Sequence, residues 1–295
     1  MAVTGDITMM MIKQFSTNVQ LLCQQLDSRF AKAVRVEPIH AEYAFFDQIG
    51  PDIAEDMTTR HGPTPIMDEQ HQRRRVHATR SHIGRLIDAY DLNRILTDPT
   101  SAYVKSMVAA LFRKIDDKII AAAVGPAYTG KEGETAIQFD SAHMVVANTV
   151  GSGTTPTATG MNVEKLLAAS EILNKYDVPE NDRYVAMSAK QHAELLADQR
   201  TTSRDYIGTF TLENGRITNF VGFNIILSER LPKSGSDREC LFWQKDGLLL
   251  AVNEDVVTKI SERPDLAYSK QIYIAMDNGA TRMEECRVGK ILCKE

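Results

Sequence analysis

The sequence predicts an α+β fold, in which strand-rich and helix-rich segments occupy different parts of the chain. Residues 99–124 carry one long helical pattern, while residues 36–92 and 253–295 contain stretches that alternate apolar and polar side chains. Residues 141–252 combine short helices with short strands. This segregation is typical of α+β domains rather than of a regularly alternating strand and helix pattern.

The first element is a polar arm, residues 1–35, with a weak helical pattern. Its apolar positions recur at spacings of four, three and four residues, at Phe15, Val19, Leu22 and Leu26. A segment this short cannot bury such a stripe within itself. We therefore expect the stripe to lie on the rest of the fold or on another subunit.

The second element, residues 36–92, is a long excursion between strand-like stretches. RVEPIHAEYAFF reads as a strand, and RRRVHATR resumes a β pattern. Between them, IGPDIAEDMTTRHGPTPIMDEQHQ is polar, carries three prolines and lacks periodicity. Compact domains rarely tolerate so long an irregular segment unless it has a function. The flanking β patterns favour a two-stranded projection over disorder.

A spine helix over residues 99–124 is the strongest local prediction. Asp98 is a suitable N-cap, and Pro99 fits the first helical position. One apolar stripe runs through Val104, Met107, Val108, Leu111, Ile115, Ile119 and Ala122. Gly125 and Pro126 end the helix, whose length would be roughly 39 Å at 1.5 Å per residue.

The rest of the chain alternates short helices and strands and then ends in strands. Asn162 caps the helix VEKLLAASEILNKY, RYVAM is a strand, and Ser188 with Gln191 forms a capping box before a second helix. Further strands are predicted in ITNFVGFNIILSERL and LFWQKDGLLLAV. The tail alternates at Val256, Thr258, Ile260, Ile272, Ile274, Met276, Val288 and Ile291.

Composition excludes several classes of protein. A net charge of −5 argues against coating nucleic acid, and no apolar run is long enough to cross a bilayer. Cys23, Cys240, Cys286 and Cys293 form no C-x-x-C pair, which favours reduced thiols. Because the first residues lack the features of a signal peptide, the chain is expected to stay in the cytoplasm in which it is made.

The stretch GPAYTGKEGET, residues 125–135, resembles a nucleotide-binding P-loop through Gly125, Gly130 and Lys131. A P-loop needs a strand before it, Ser or Thr after the lysine, and a helix after that. Here a helix precedes the loop, Glu132 follows the lysine, and GETAIQFD reads as loop and strand. A helix stop followed by a turn is the favoured interpretation, and a nucleotide-binding enzyme is the disfavoured alternative.

The sequence predicts no catalytic residues, metal ligands or cofactor site. Its seven histidines form no H-E-x-x-H motif, and the adjacent acids at residues 116–117 and 284–285 diverge. Ser188 follows a strand and opens a helix, but it lacks the flanking glycines of a nucleophile elbow.

Five arginines within thirteen residues form the most unusual cluster: Arg73, Arg74, Arg75, Arg80 and Arg85. A solvated charged face explains them without any function. Contacts with carboxylates on another chain are equally compatible, because arginine suits bidentate interface pairs. Nucleic-acid binding is a third reading.

The order of arm, projection, spine helix, α/β region and β tail resembles the major capsid proteins of tailed double-stranded DNA phages, which have the Hong Kong 97-type fold. The resemblance extends to the stretches QFSTNVQLLCQQLDSRF, RRRVHATRSHIGRLIDAYD, DPTSAYVKSMVAALFRKIDDKIIAAA, SAKQHAELLAD, VGFNIILSERLP and NGATRMEE. They span nearly the entire chain, and their number and order carry the resemblance.

The resemblance implies a domain organisation. Residues 1–35 would be the N-arm, 36–92 the E-loop, 93–140 the P-domain with the spine helix, and 141–252 the A-domain. Residues 253–295 would return to the P-domain as β structure and form the C-terminus.

It also implies a structural role in a virion. The subunits would assemble as hexamers and pentamers into an icosahedral shell in the host cytoplasm, with a scaffolding protein, a portal and decoration proteins as partners. The shell would enclose double-stranded DNA without sequence-specific binding and without a membrane. The candidate intersubunit residues are Arg73, Arg74, Arg75, Arg80, Arg85, Phe15, Val19 and Leu22.

Two family variations bear on this chain. Residues 36–92 contain no lysine, so the lysine–asparagine crosslink that some family members form through the E-loop is not expected. The chain also lacks a long charged N-terminal prosegment, so we expect scaffolding by a separate protein. Encapsulin nanocompartments share the fold and remain an alternative.

Overall fold

The computed structural model describes residues 23–57, 59–60, 66, 71–87, 100–150, 155–198, 212–213 and 216–295. The predicted stripe residues Phe15, Val19 and Leu22 lie outside these ranges, as do the predicted cap Asp98 and Pro99.

The first half of the described chain contains six strands and one long helix. In chain order these are β1 (Arg35–Pro38), β2 (Tyr43–Ile49), β3 (His71–His77), β4 (Thr79–Ile87), α1 (Thr100–Val124), β5 (Ala127–Thr129) and β6 (Thr135–Ile137).

The second half places two helices among shorter strands and includes two long strands near its end. These elements are β7 (Met144–Val145), α2 (Val163–Lys175), β8 (Arg183–Met187), α3 (Ala189–Ala197), β9 (Leu212–Glu213), β10 (Arg216–Ile217), β11 (Asn219–Phe220), β12 (Phe223–Leu227), β13 (Lys233–Ser234), β14 (Asp237–Gln244), β15 (Leu248–Arg263), β16 (Ser269–Arg282) and β17 (Val288–Lys294).

Helix α1 confirms the predicted spine helix. The position of its end is explained by a steric constraint at Gly125. The helix ends at Val124, and the Gly125 N–H donates to the Ala121 carbonyl at 2.8 Å. A Cβ at Gly125 would lie 2.6 Å from that oxygen, so only glycine fits the close approach. Pro126 follows and has no N–H with which to continue the helix.

The caps of the two shorter helices also agree with the sequence. The Asn162 side chain accepts a hydrogen bond from the Lys165 N–H at 2.8 Å. Ser188 and Gln191 form the reciprocal capping box that opens α3. Each cap satisfies backbone N–H groups that have no partner within the helix.

Contacts divide the chain into two compact units. The first comprises the described parts of Met1–Ser28, Arg80–Lys114 and Glu254–Met276. In its sheet, β4 pairs with β16 and β16 pairs with β15. Arg113 Nη1 donates to the Gln25 carbonyl at 2.9 Å, which ties the arm to α1 within this unit.

The second unit comprises Arg29–Thr79, Ile115–Asn253 and Asp277–Glu295 and is built on a seven-stranded mixed sheet. The strand order is β11-β12-β8-β14-β17-β7, with β13 on β14. β17, which follows every other strand in the sequence, lies between β14, its antiparallel partner, and β7, its parallel partner.

The core of this unit packs α2 and α3 with the sheet. Leu166, Leu173 and Leu195 of the helices are fully buried in one cluster with Phe242 and Trp243 of β14. The Trp243 indole N–H donates to the Ala33 carbonyl at 2.8 Å. This bond gives the indole nitrogen, the only polar atom of the large buried Trp243 side chain, a hydrogen-bond partner. It also anchors the chain just before β1.

A second sheet in the same unit has the order β2-β3-β5-β6. β2 and β3 pair antiparallel over seven residue pairs, from Tyr43 opposite His77 to Ile49 opposite His71. The predicted pairing of the flanking β stretches is therefore present as the β2–β3 hairpin, which belongs to a four-stranded sheet and not to a separate two-stranded one.

The strands around the hairpin differ from the prediction. RVEPIHAEYAFF was predicted as one strand, but it forms β1 and β2, which join different sheets. β1 pairs with β15 in parallel, and that ladder ends at Pro38 and Ile39. β4, the end of the predicted projection, pairs with β16 instead of with β2. These partners lie more than 150 residues away, beyond the reach of any local pattern.

Arg282 connects several of these elements in the second unit. Its side chain is fully buried at the end of β16, where Nη1 donates at 2.9 Å to both the Ala123 and the Gly125 carbonyls at the end of α1. Nη2 approaches the Ile137 carbonyl of β6, and Nε forms an ion pair with Glu285. The guanidinium of Arg282 thus donates to carbonyl groups at the end of α1, where the helix itself supplies no further backbone N–H.

Replacement of Arg282 should cost stability, because it would leave these carbonyls and the Glu285 carboxylate without their donor. We expect Arg282→Ala to lower the free energy of unfolding by about 3–5 kcal/mol in urea denaturation. Arg263→Ala, which removes an arginine exposed at its ion pair with Asp265, is the matched control and should change it little. An unfolding midpoint equal to that of the wild type would contradict this role of Arg282.

Candidate assembly surface

One face of the β2–β3 hairpin presents aromatic and charged side chains to solvent. Along β2 the side chains alternate between exposed and half-buried, so that Tyr43, Phe45 and Asp47 share the exposed side. Their partners across the ladder are His77, Arg75 and Arg73. We define the outer hairpin face as Tyr43, Phe45, Asp47, Arg73, Arg75 and His77, together with Tyr128 of β5.

An ion pair between Asp47 and Arg73 lies at one end of this face. Arg73 Nε and Nη2 donate to the two carboxylate oxygens of Asp47 at 2.6 and 3.3 Å. Hydrogen bonding to Arg73 lowers the pKa of the Asp47 carboxyl below its usual value. The bidentate geometry fixes the plane of the guanidinium.

The two arginines also stack on the aromatic rings. Arg73 lies 5.6 Å from the Phe45 ring centroid, and Arg75 lies 5.4 Å from that of Tyr43 and 4.8 Å from that of Tyr128. These cation–π contacts hold the guanidinium groups against the sheet. The arginines of this face are therefore ordered before any partner binds, which reduces the entropy lost on association.

The aromatic rings remain substantially open to solvent. The exposed fractions of Tyr43, Phe45 and Tyr128 are 43%, 42% and 38%. Tyr43 is additionally stacked on His77, with ring centroids 4.6 Å apart. A contiguous exposed patch of aromatic residues and arginine has the composition of a protein–protein interface.

Arg74 points the other way, into the interior of its own chain, and its predicted contact with a neighbouring subunit stays a prediction. Its side chain is 3% exposed; Nε donates to the Met283 carbonyl at 2.8 Å, and Nη2 pairs with Glu285 at 3.0 Å. Burial lowers the pKa of its guanidinium. Side chains alternate along a strand, so Arg74 must face inward when Arg73 and Arg75 face outward.

The other predicted contact residues lie elsewhere. Arg80 pairs with Glu254 at 3.2 Å, and Arg85 lies 4.4 Å from the Tyr103 ring centroid, both within the first unit. The five clustered arginines therefore do not form one surface. Contacts of Arg73, Arg75, Arg80 and Arg85 with other subunits stay predictions.

Sequence reasoning did not single out the aromatic residues of the outer hairpin face. The signal for two of them was present, since YAFFD alternates and places Tyr43, Phe45 and Asp47 on one side of a strand. Tyr128 carried no local signal, because its place beside Arg75 follows from the pairing of β5 with β3.

The turn between β5 and β6 rules out the P-loop alternative. Gly130 and Gly133 adopt positive φ angles of 104° and 71° in a turn that joins two strands, where a P-loop would lead into a helix. The Glu132 N–H donates to a carboxylate oxygen of Glu134 at 2.9 Å. Hydrogen bonds from the backbone N–H groups of Glu134 and Glu132 lower the pKa of Glu134. The chain's own carboxylate thus accepts the hydrogen bond of the N–H that follows Lys131.

Neither a metal site nor a membrane span emerges within the described ranges. They contain no group of three or more His, Cys, Asp or Glu side chains placed to hold a metal ion. None of the helices in these ranges is both long and apolar enough to cross a membrane.

Comparison with known proteins finds one matching family, which spans nearly the whole chain, and solved structures of similar fold. A family model described as phage capsid protein matches residues 7–295, whereas no curated protein matches. The capsid structure of the cyanophage P-SCSP1u is similar with a TM-score of 0.74 at 17% identity, covering 96% of this chain and 93% of that chain.

Two further structures extend the similarity. A chain of Mycobacterium phage Che8 has a TM-score of 0.68 at 16% identity, covering 95% of this chain and 96% of that chain. The capsid of a native GTA particle has a TM-score of 0.66 at 11% identity, covering 100% of this chain and 99% of that chain. The predicted Hong Kong 97-type fold is confirmed.

The opposite orientations of Arg74 and Arg73 predict unequal effects of their replacement on stability. Arg74→Ala should lower the free energy of unfolding by about 3 kcal/mol, because it removes a buried ion pair and a hydrogen bond to a carbonyl. Arg73→Ala should leave it nearly unchanged, since its ion pair with Asp47 is exposed. Chemical denaturation of the two single variants measures the difference, and equal losses would contradict the assigned orientations.

Proposed function

The chain belongs to the phage capsid protein family, and from that membership we propose that it assembles into hexamers and pentamers of an icosahedral head that encloses double-stranded DNA. Its role as a structural subunit of a phage capsid follows from the family. The number of subunits in each ring, the closed shell and the DNA content are the parts proposed here.

The observation that supports assembly most directly is the outer hairpin face. Tyr43, Phe45 and Tyr128 remain exposed in the single chain, and Arg73 and Arg75 are already held in place against them. Arginine and tyrosine are enriched among the residues that dominate binding energy at interfaces. A neighbouring subunit that covers this face would bury the aromatic area at little cost in side-chain entropy.

The proposed partners follow from the same role. We expect a separate scaffolding protein, a portal and decoration proteins, with assembly in the host cytoplasm. The apolar stripe at Phe15, Val19 and Leu22 is proposed to dock on a neighbouring subunit. The net charge of −5 supports a shell that contains DNA without binding it tightly.

Negative-stain microscopy of the purified full chain tests the proposal. We expect closed shells, or rings and sheets of hexamers when the scaffolding protein is absent. Particles from the source that contain DNA would support a phage head, whereas particles that hold a cargo enzyme would support the encapsulin alternative. A protein that stays monomeric under all assembly conditions, with no particle in its source, would contradict both.

The double variant Arg73→Ala/Arg75→Ala should separate assembly from folding. We expect an unchanged thermal unfolding midpoint and a lower particle yield, because a loss of about 1.4 kcal/mol weakens each contact between subunits about tenfold. Sedimentation velocity measures the yield. Arg263→Ala is the control, because Arg263 also pairs with an exposed aspartate, Asp265. If the double variant gave the wild-type particle yield, Arg73 and Arg75 would be solvated surface residues without a role in assembly.

A further inference from the structure

The buried arginine of β3 keeps one nitrogen atom without a hydrogen-bond acceptor. Arg74 Nε donates to the Met283 carbonyl at 2.8 Å, and Nη2 donates to a carboxylate oxygen of Glu285 at 3.0 Å. Nη1 is buried as well, yet it has no hydrogen-bond partner among the residues that the structure describes. A buried donor without an acceptor is costly, so this atom points to a water molecule or an ion that supplies one.

The charges around Arg74 favour an ion over a water molecule. Arg74 and Arg282 are 3% and 0% exposed, and both pair with the single carboxylate of Glu285. The neighbouring carboxylate of Glu284 is already paired with Arg287 at 2.7 Å. The buried ionic cluster of Arg74, Arg282 and Glu285 therefore carries one positive charge in excess. A buried charge without a counter-ion is strongly unfavourable, and a negative ion would compensate it.

The excess charge lies closer to Arg74 than to Arg282. Arg282 donates to the Ala123 and Gly125 carbonyls at the end of α1, where the helix dipole contributes partial negative charge. The Phe139 ring adds a cation–π contact, with its centroid 5.6 Å from the Arg282 guanidinium. Arg74 donates to only one carbonyl in the described part of the chain. Burial lowers the pKa of the Arg74 guanidinium, as expected where a charge is incompletely compensated.

We propose that a small monovalent anion of the halide class, typically chloride, binds at Arg74 Nη1 and completes the buried ionic cluster. A halide ion accepts hydrogen bonds and carries the single negative charge that balances the excess. Protein interiors are close-packed, so an ion of one atom fits such a site better than a sulfate or phosphate group does. The ion enters during folding or through a local opening, because both guanidinium groups are closed to solvent.

This site exists only in the folded chain. Arg74 and Glu285 are 211 residues apart in the sequence, and the fold alone brings them together. An ion that binds the folded state and not the unfolded state raises the free energy of unfolding as its concentration increases. The proposal therefore predicts a stability that depends on the identity of the anion as well as on ionic strength, and it does not depend on assembly into particles.

Urea denaturation of the full chain in the sodium salts of chloride, bromide and gluconate tests the proposal. The ionic strength is kept equal, so that general screening is the same in all three salts. Relative to gluconate, which is too large for the site, chloride should lower the unfolding equilibrium constant about tenfold once its concentration exceeds the Kd about tenfold. Bromide should act similarly. Equal unfolding constants in the three salts would overturn the proposal and assign Arg74 Nη1 to a water molecule.

Two methionine variants of neighbouring arginines separate the site from general salt effects. Arg74→Met removes the charge and the unpartnered N–H groups, so the difference between chloride and gluconate should disappear. Arg73→Met is the matched control on the same strand, because the Arg73 guanidinium is exposed and paired with Asp47. This control should keep the wild-type response to chloride. An equal response of wild type and Arg74→Met would place the halide effect elsewhere and contradict the proposal.

Crystals of the wild-type chain grown in sodium bromide give a direct test that needs no variant, and this test decides the matter if Arg74→Met does not fold. We expect an anomalous scattering peak from bromide in contact with Arg74 Nη1. Electron density at that position without anomalous signal would identify a water molecule and overturn the proposal. Bromide peaks confined to exposed arginine and lysine side chains would overturn it as well.

Discussion

A buried ionic cluster is the constraint on which the second unit depends. Arg282 and Arg74 share the carboxylate of Glu285, and Arg282 also binds the carbonyls at the end of α1. Buried charges are tolerated only when they are paired and hydrogen-bonded, so the helix end, β3 and the turn after β16 must come together in one arrangement. The cluster therefore favours one packing of these elements over other packings that would bury a similar apolar area. This selection is a larger effect of the cluster than its net contribution to stability.

The same cluster sets the chemistry of the outer hairpin face. Because Arg74 is fixed inward by Glu285 and the Met283 carbonyl, the pleat of β3 obliges Arg73 and Arg75 to face outward. There they stack on rings supplied by β2 and β5. A register shift of one residue would bury both outer arginines and expose Arg74, at the cost of the ion pair inside. The register of β3 thus determines both which arginine is buried and which side chains form the outer hairpin face.

Elements with local signals could be predicted from the sequence, and those that depend on distant pairing could not. Gly125 ended the helix, and Asn162 and Ser188 capped the two shorter helices, because each acts on backbone within four residues. The separation of β1 from β2 and the pairing of β4 with β16 depend on strands far along the chain. For the outer hairpin face, the sequence identified the arginines but did not show which of them point to solvent. The inward turn of Arg74 required knowledge that residues 71–77 form a strand and which of its faces is covered.

The position of β17 has a consequence for the timing of folding during synthesis. This strand is made after all the others, yet it lies inside the seven-stranded sheet between β14 and β7. Until residues 288–294 have left the ribosome, β14 and β7 each lack a neighbour, and the nascent chain cannot complete its largest core. The order of strands in the sheet thus makes completion of this core depend on the synthesis of residues 288–294.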